Sequence, residues 1–351
     1  MSRLRSAHRS RMPQALKRAC LVLSCVWVSA CMSDHPSPVS PAAASVHDAG
    51  KAATPPGHPL PVPAAGEVRL AGEGWLSGLR NDYNLSTDAA QAHMVFARSD
   101  ADFENSRIWL ARRRGEGWSE PSEVPFSDPR YRDSDPWLTP DGRTLYFASN
   151  RPVSGDAPNA TLDLWRVAFD GQRFGTPEHL PMLASDGQEL GPELHDGWLY
   201  FNSSRKSGPA KLAIYRARVN GTGFDAPVPM GAPFNDGTIQ GDFTLSPDGR
   251  LAVFWSLRDD ASELDLFAAC RTLAGWSAAV RLPPPISARG MDFTPAFSAD
   301  GRSLIFASMR SAESSGEART LLNGQSNLYV ASAGMVQRAI DRAAVMPACR
   351  A

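Results

Sequence analysis

The stretch DSDPWLTPDGRTLYFASNRP, residues 133–152, reads as a β-hairpin, because an apolar run meets a Pro-Asp-Gly turn and a second apolar run follows it. Aligned on that turn, the segments NLSTDAAQAHMVFARSD, ELHDGWLYFNSSR, TLSPDGRLAVFWSLR and AFSADGRSLIFASMR show the same order of strand, turn aspartate and strand carrying a phenylalanine. The turn aspartates are Asp88, Asp141, Asp196, Asp248 and Asp300, separated by 53, 55, 52 and 52 residues. So regular a period marks a repeat architecture, and its length suits one four-stranded blade with long loops.

Each hairpin is followed by a third strand with an aromatic at matching depth (Trp109, Trp165, Tyr215, Phe267, Tyr329), and four of these lead into a fourth strand. The fifth unit has no fourth strand of its own, which would leave an open sheet edge. The peptide VRL forms that fourth strand in unit four, at 280–282, and recurs at 68–70 ahead of unit one. The expected fold is therefore all-β: a five-bladed β-propeller of four-stranded blades, its ring closed by the N-terminal strand Val68–Leu70. The once-per-unit phenylalanines Phe96, Phe147, Phe201, Phe254 and Phe306 are expected to pack between blades.

The repeats resemble the WD40-like repeats of TolB-type β-propellers, with a proline, a strand, Pro-Asp-Gly, a strand and often Ser-x-Arg; Pro136–Arg151 and Pro295–Arg310 match best. The resemblance implies the fold over roughly residues 66–333 and little about function, since such propellers act as scaffolds, as peptide or glycan binders and as gating domains.

The first thirty residues differ from the rest. They carry Arg3, Arg5, Arg9, Arg11, Lys17 and Arg18, no acid, and then the apolar run ACLVLSCVWVSA, too short to span a bilayer. Val28-Ser29-Ala30-Cys31 resembles the lipobox of bacterial lipoproteins, which implies cleavage before Cys31, its acylation, and, with Met32 rather than aspartate next, an outer-membrane protein facing the periplasm. Removing residues 1–30 leaves 30 basic residues against 37 acidic ones, a net charge of −7, so nucleic acid is not an expected partner. The domain reading is a signal peptide at 1–30, a Pro/Ala-rich tether at 31–66, the propeller at 67–333 and a C-terminal extension at 334–351. Cys20 and Cys25 leave with the signal, so Cys270 and Cys349 remain to form a disulfide in an oxidising compartment.

No Gly-x-Ser-x-Gly elbow, phosphate loop or paired histidine spacing occurs, so no cofactor and no metal site is expected. The site expectation comes from the repeats instead. Strand starts carry Asp82, Asp135, Glu189, Asp242 and Asp292, and the following strands end in Arg98, Arg151, Arg205, Arg258 and Arg310. In a hairpin these two points lie at one end, which predicts a rim of carboxylates and guanidiniums around one pore mouth. Two functions are compatible with it. One is a membrane-anchored, monomeric binding or scaffold module for an envelope protein, peptide or cell-wall glycan. The other is a glycoside hydrolase or lyase that uses rim carboxylates as acid and base. Ion pairing within blades is the competing structural role for the same residues, and Trp137 is expected either to offer a stacking surface or to pack in the core.

Overall fold

The computed structural model describes residues 57–258, 263–310, 324–343 and 349. Five antiparallel sheets stand in a ring, each built from an innermost strand, the hairpin partner, the aromatic-bearing strand and a short outer strand. The innermost strands are Asn81–Thr87, Asp133–Leu138, Glu189–His195, Ile239–Leu245 and Asp292–Phe297 for blades one to five. Strand Val68–Leu70 pairs antiparallel with the third strand of blade five, with Val68 opposite Ala331 and Leu70 opposite Tyr329. The ring thus closes with no unpaired edge in its last blade.

Local chemistry explains the hairpins. Oδ1 of Asp141, Asp248 and Asp300 accepts the hydroxyl two residues earlier, from Thr139, Ser246 and Ser298, at 2.6 Å in each case. The same oxygen accepts the backbone N–H two residues later, so one carboxylate fastens both sides of the turn. In blade three, Asp196 and Gly197 both have positive φ, as a two-residue hairpin turn needs. Phe96, Phe147, Phe201, Phe254 and Phe306 are fully buried. Each lies opposite the third-strand aromatic of its own blade, from Trp109 to Tyr329.

Among the described residues, contacts with the ring are already present at Gly57 and His58, inside the segment whose composition reads as tether. His58 exchanges backbone hydrogen bonds with Trp118 at 2.8 Å and stacks on Trp75 with ring centroids 5.1 Å apart. The signal peptide, Cys31 and the tether up to residue 56 lie outside the described residues. At the other end, helix Gly334–Arg342 buries Val336, Ala339 and Ile340. Cys349 is disulfide-bonded to Cys270 of blade four, with Cα atoms 5.8 Å apart. No helix among the described residues is long and apolar enough to cross a membrane.

Candidate functional site: two rings at one end of the axis

The acids and arginines of the repeats do converge at one end of the ring, but they are spent on two different tasks. The arginines are internal staples. Arg98 donates to Asp82 at 2.6 Å, Arg151 to Asp133 at 2.7 Å, Arg205 to Glu189 at 3.4 Å and Arg310 to Asp292 at 3.0 Å. Each guanidinium also covers two aromatics of its own blade, as Arg310 does over Phe306 at 5.3 Å and Tyr329 at 4.4 Å. Several reach further, to carbonyls of the loop preceding the blade: Arg98 to Trp75 and Leu76, Arg205 to Leu183, Arg310 to Pro285 and Ile286. Arg98 sits two residues earlier in its unit than the others, and its side chain still reaches the same place over Phe96 and Trp109.

Two of the expected pairings differ. Arg151 pairs with Asp133, not Asp135, because the strand start carries two acids and the earlier one lies opposite Ser149 in the ladder. In blade four the corresponding place is Gln240, opposite Ser256, so Asp242 is not the partner of Arg258. Gln240 bonds to the Gly237 N–H and the Leu212 carbonyl, while Arg258 donates to Ser256 Oγ and the Pro233 carbonyl.

Asp135 and Asp242 belong to a second, inner ring. Every innermost strand has a bulge, and at its centre stand Asn84, Asp135, Gly191, Asp242 and Thr294, with φ of 48, 51, 57, 47 and 46°. Positive φ is tolerated by Asn, Asp and Gly and is unusual for a β-branched threonine. The bulges are held by links to the next blade: Asp135 accepts the Gly191 N–H, Asp242 the Thr294 N–H, and Thr294 Oγ1 the Asn84 N–H. Gly191 has no side chain to do this, and Asn202 takes its place, accepting from the Asp242 N–H at 2.9 Å and donating to Asp242 Oδ1 at 2.8 Å. A Cβ on Gly191 would clash with Asp242 Oδ1 and come within 2.7 Å of Asn202 Nδ2, so this approach requires glycine.

Above the inner ring is a cavity of about 100 Å³ on the propeller axis. Asp135 and Asp242 line it together with Asn84 and Thr294, and the aromatics Tyr83, Phe103, Trp255 and Phe293 form much of its wall. Burial pushes the Asp135 carboxyl up to about 8, helped by the nearby Asp242. Burial also raises Asp242, against the donors Trp255 Nε1 at 2.6 Å, Asn202 Nδ2 and the Thr294 N–H, which favour its ionised form. Of two neighbouring carboxyls, Asp242 is therefore the better placed to hold negative charge and Asp135 to hold a proton. The staple acids are raised as well, Asp82 and Asp292 to about 6, by burial that the adjacent arginines partly offset.

Below the inner ring the axis continues as a neck and then a vestibule on the hairpin-turn face, with Asn84, Asp242 and Thr294 shared upward and Trp137 and Glu193 shared downward. Trp137 thus faces the lower channel and packs against Tyr146. Among the described residues no group of three His, Cys, Asp or Glu side chains is arranged to hold a metal ion.

No protein-family model matches the chain, and no curated protein sequence does. Many solved structures are similar. One is TolB from Acinetobacter baumannii, at 14% identity with a TM-score of 0.44, covering 74% of this chain and 57% of that one. Another is an α-L-arabinofuranosidase from Lactobacillus brevis, at 12% identity with a TM-score of 0.49, covering 72% of this chain and 91% of that one. A thermostable family-43 glycoside hydrolase matches at 11% identity and a TM-score of 0.49, covering 74% of this chain and 91% of that one. This chain spans little more than half of the Acinetobacter TolB, and the likeness in each case is one of fold. The fold is a five-bladed β-propeller.

Proposed function

We propose that the protein is a cell-envelope binding module, anchored through an acylated Cys31, that receives a glycan or peptide group in the axial pocket. The observation that carries this reading is the meeting of Asp135 and Asp242 at the floor of an aromatic-walled cavity, which is also lined by Asn84, whose buried Oδ1 has no hydrogen-bond partner among the described residues. Carboxyl oxygens accept hydrogen bonds from hydroxyls and amides, and aromatic walls cover the apolar face of a sugar ring or side chain. Four of the five arginines contribute no free charge to this mouth, because Asp82, Asp133, Glu189 and Asp292 neutralise them inside the blades, and Arg258 is held by Ser256 Oγ and the Pro233 carbonyl. The test is titration calorimetry with soluble cell-wall oligosaccharides and peptides, on wild type and on an Asp135→Asn/Asp242→Asn variant shown to be folded. Binding to wild type that survives in the variant would move the site elsewhere.

The unequal hydrogen bonding of the same pair favours a second reading, glycoside hydrolysis with Asp135 as acid and Asp242 as ionised partner. Oligosaccharide turnover that disappears in Asp135→Asn supports it; binding without turnover supports the module. The anchor is tested separately: Cys31→Ser should leave the protein unprocessed or release it from membranes, and a correctly processed, membrane-bound serine variant would remove the lipoprotein reading.

A further inference from the structure

The far end of the axis is a cavity with chemistry of its own. On the hairpin-turn face a vestibule of about 320 Å³ is walled by apolar side chains of several blades, among them Leu85, Trp137, Leu245 and Phe297. Glu193 lines both this vestibule and the neck above it. It occupies the position that ends the bulge, where the other blades carry Ser86, Trp137, Thr244 and Ala296, and of these five residues Glu193 alone ionises. One of its oxygens is fixed: Oε1 accepts the Leu245 N–H at 3.0 Å and the Thr244 hydroxyl at 3.1 Å. Oε2 accepts no hydrogen bond within the described residues, and the side chain is half-buried where it lines the vestibule.

A carboxyl at the inner end of an apolar vestibule, tied by one oxygen and open at the other, matches a positive group carried on an apolar stem. We propose that this vestibule binds a primary alkylammonium, the chemistry of a lysine side chain on a partner peptide, with the methylenes along Trp137, Leu245 and Phe297 and the ammonium on Glu193 Oε2. The proposal does not rest on the ligand proposed for the axial pocket, although Asp242 lines both that pocket and the neck. The titratable groups facing Glu193 are Asp242 across the neck and His195 two residues on, whose Nδ1 lies 3.3 Å from Asp196 Oδ2. Burial pushes Glu193 up to about 8, so an ammonium entering at lower pH must displace a proton. Affinity should then fall about tenfold per pH unit below that value.

The probe is n-hexylammonium, with n-hexanol as the uncharged control, measured by titration calorimetry between pH 6 and 9. Wild type should bind the ammonium more tightly as pH rises towards 8, and Glu193→Gln should bind it at least tenfold more weakly while its affinity for hexanol is unchanged. Equal ammonium affinity in the two proteins, or no ammonium binding at any pH in the range, would overturn the proposal. Should Glu193→Gln fail to fold, nuclear Overhauser contacts between probe methylenes and the Trp137 indole in wild type decide it: their presence supports the site and their absence excludes it.

Discussion

Nη2 of Arg151 lies 2.7 Å from Oδ1 of Asp133, and the same guanidinium sits 5.0 Å from the centre of the Phe147 ring. The pair is buried, so neither charge can be satisfied by water if the other is removed. Arg151→Ala should lower stability by about 3–5 kcal/mol, the usual cost of leaving a buried charge unpaired, and should leave ligand affinity at the axial pocket unchanged. Chemical denaturation and calorimetry on the same sample check both halves.

Gly191→Ala places a β-carbon where φ is 57° and where Asp242 and Asn202 already stand. The left-handed backbone alone costs about 1–2 kcal/mol for a residue with a Cβ, and the contact adds to it. Gly221→Ala is the matched control, since it has φ of 59° and no atom within 4 Å of the added carbon. Thermal unfolding should rank Gly191→Ala clearly below Gly221→Ala.

Asp135 and Glu193, both raised to about 8, impose a pH dependence whose sign is fixed by linkage. The folded state holds protons that the unfolded chain releases near the ordinary carboxylate range. Their contribution to stability is thus complete below that range and is lost as pH rises through about 8. Asp135→Asn removes one such proton, so the stability of the variant relative to wild type should increase between pH 5 and pH 8. Denaturant titrations across that interval measure it; a difference independent of pH would show that Asp135 ionises normally.

The bond between Cys270 and Cys349 closes a loop of 79 residues and holds Cys349 to blade four. A Cys270→Ser/Cys349→Ser variant should lose stability of the order of 4 kcal/mol in the chain-entropy account. Reducing agent should shift wild type towards the variant and leave the variant itself unmoved.

The blades were legible because their signals are local: a turn aspartate recurs every 52–55 residues and a buried phenylalanine every 51–54, with a glycine after the aspartate in four of the five units. The closing strand was legible because VRL stands at equivalent distances before units one and five. The site was only half legible. In Asp133-Ser134-Asp135 two acids occupy alternate positions of one strand, and regular pleating would send both to the same face. A bulge beginning at Ser134 separates them, giving Asp133 to Arg151 and Asp135 to the axis. The proline after Asp135, Gly191 and Thr294 is the sequence trace of that bulge, and Gln240 in place of an acid is the trace of the shift in blade four. Glu193 carries no such mark, since its role depends on the neck formed by the other four blades.

If the inner pair, not the arginine ring, makes the binding site, a calorimetric comparison of two double variants separates them. An oligosaccharide or peptide that binds wild type is titrated into Asp135→Asn/Asp242→Asn and into Arg151→Ala/Arg205→Ala, each first shown to be folded. The carboxyl variant should lose at least tenfold in affinity and the arginine variant should keep the wild-type value. Affinity retained in the carboxyl variant and lost in the arginine variant would contradict the assignment to the inner pair.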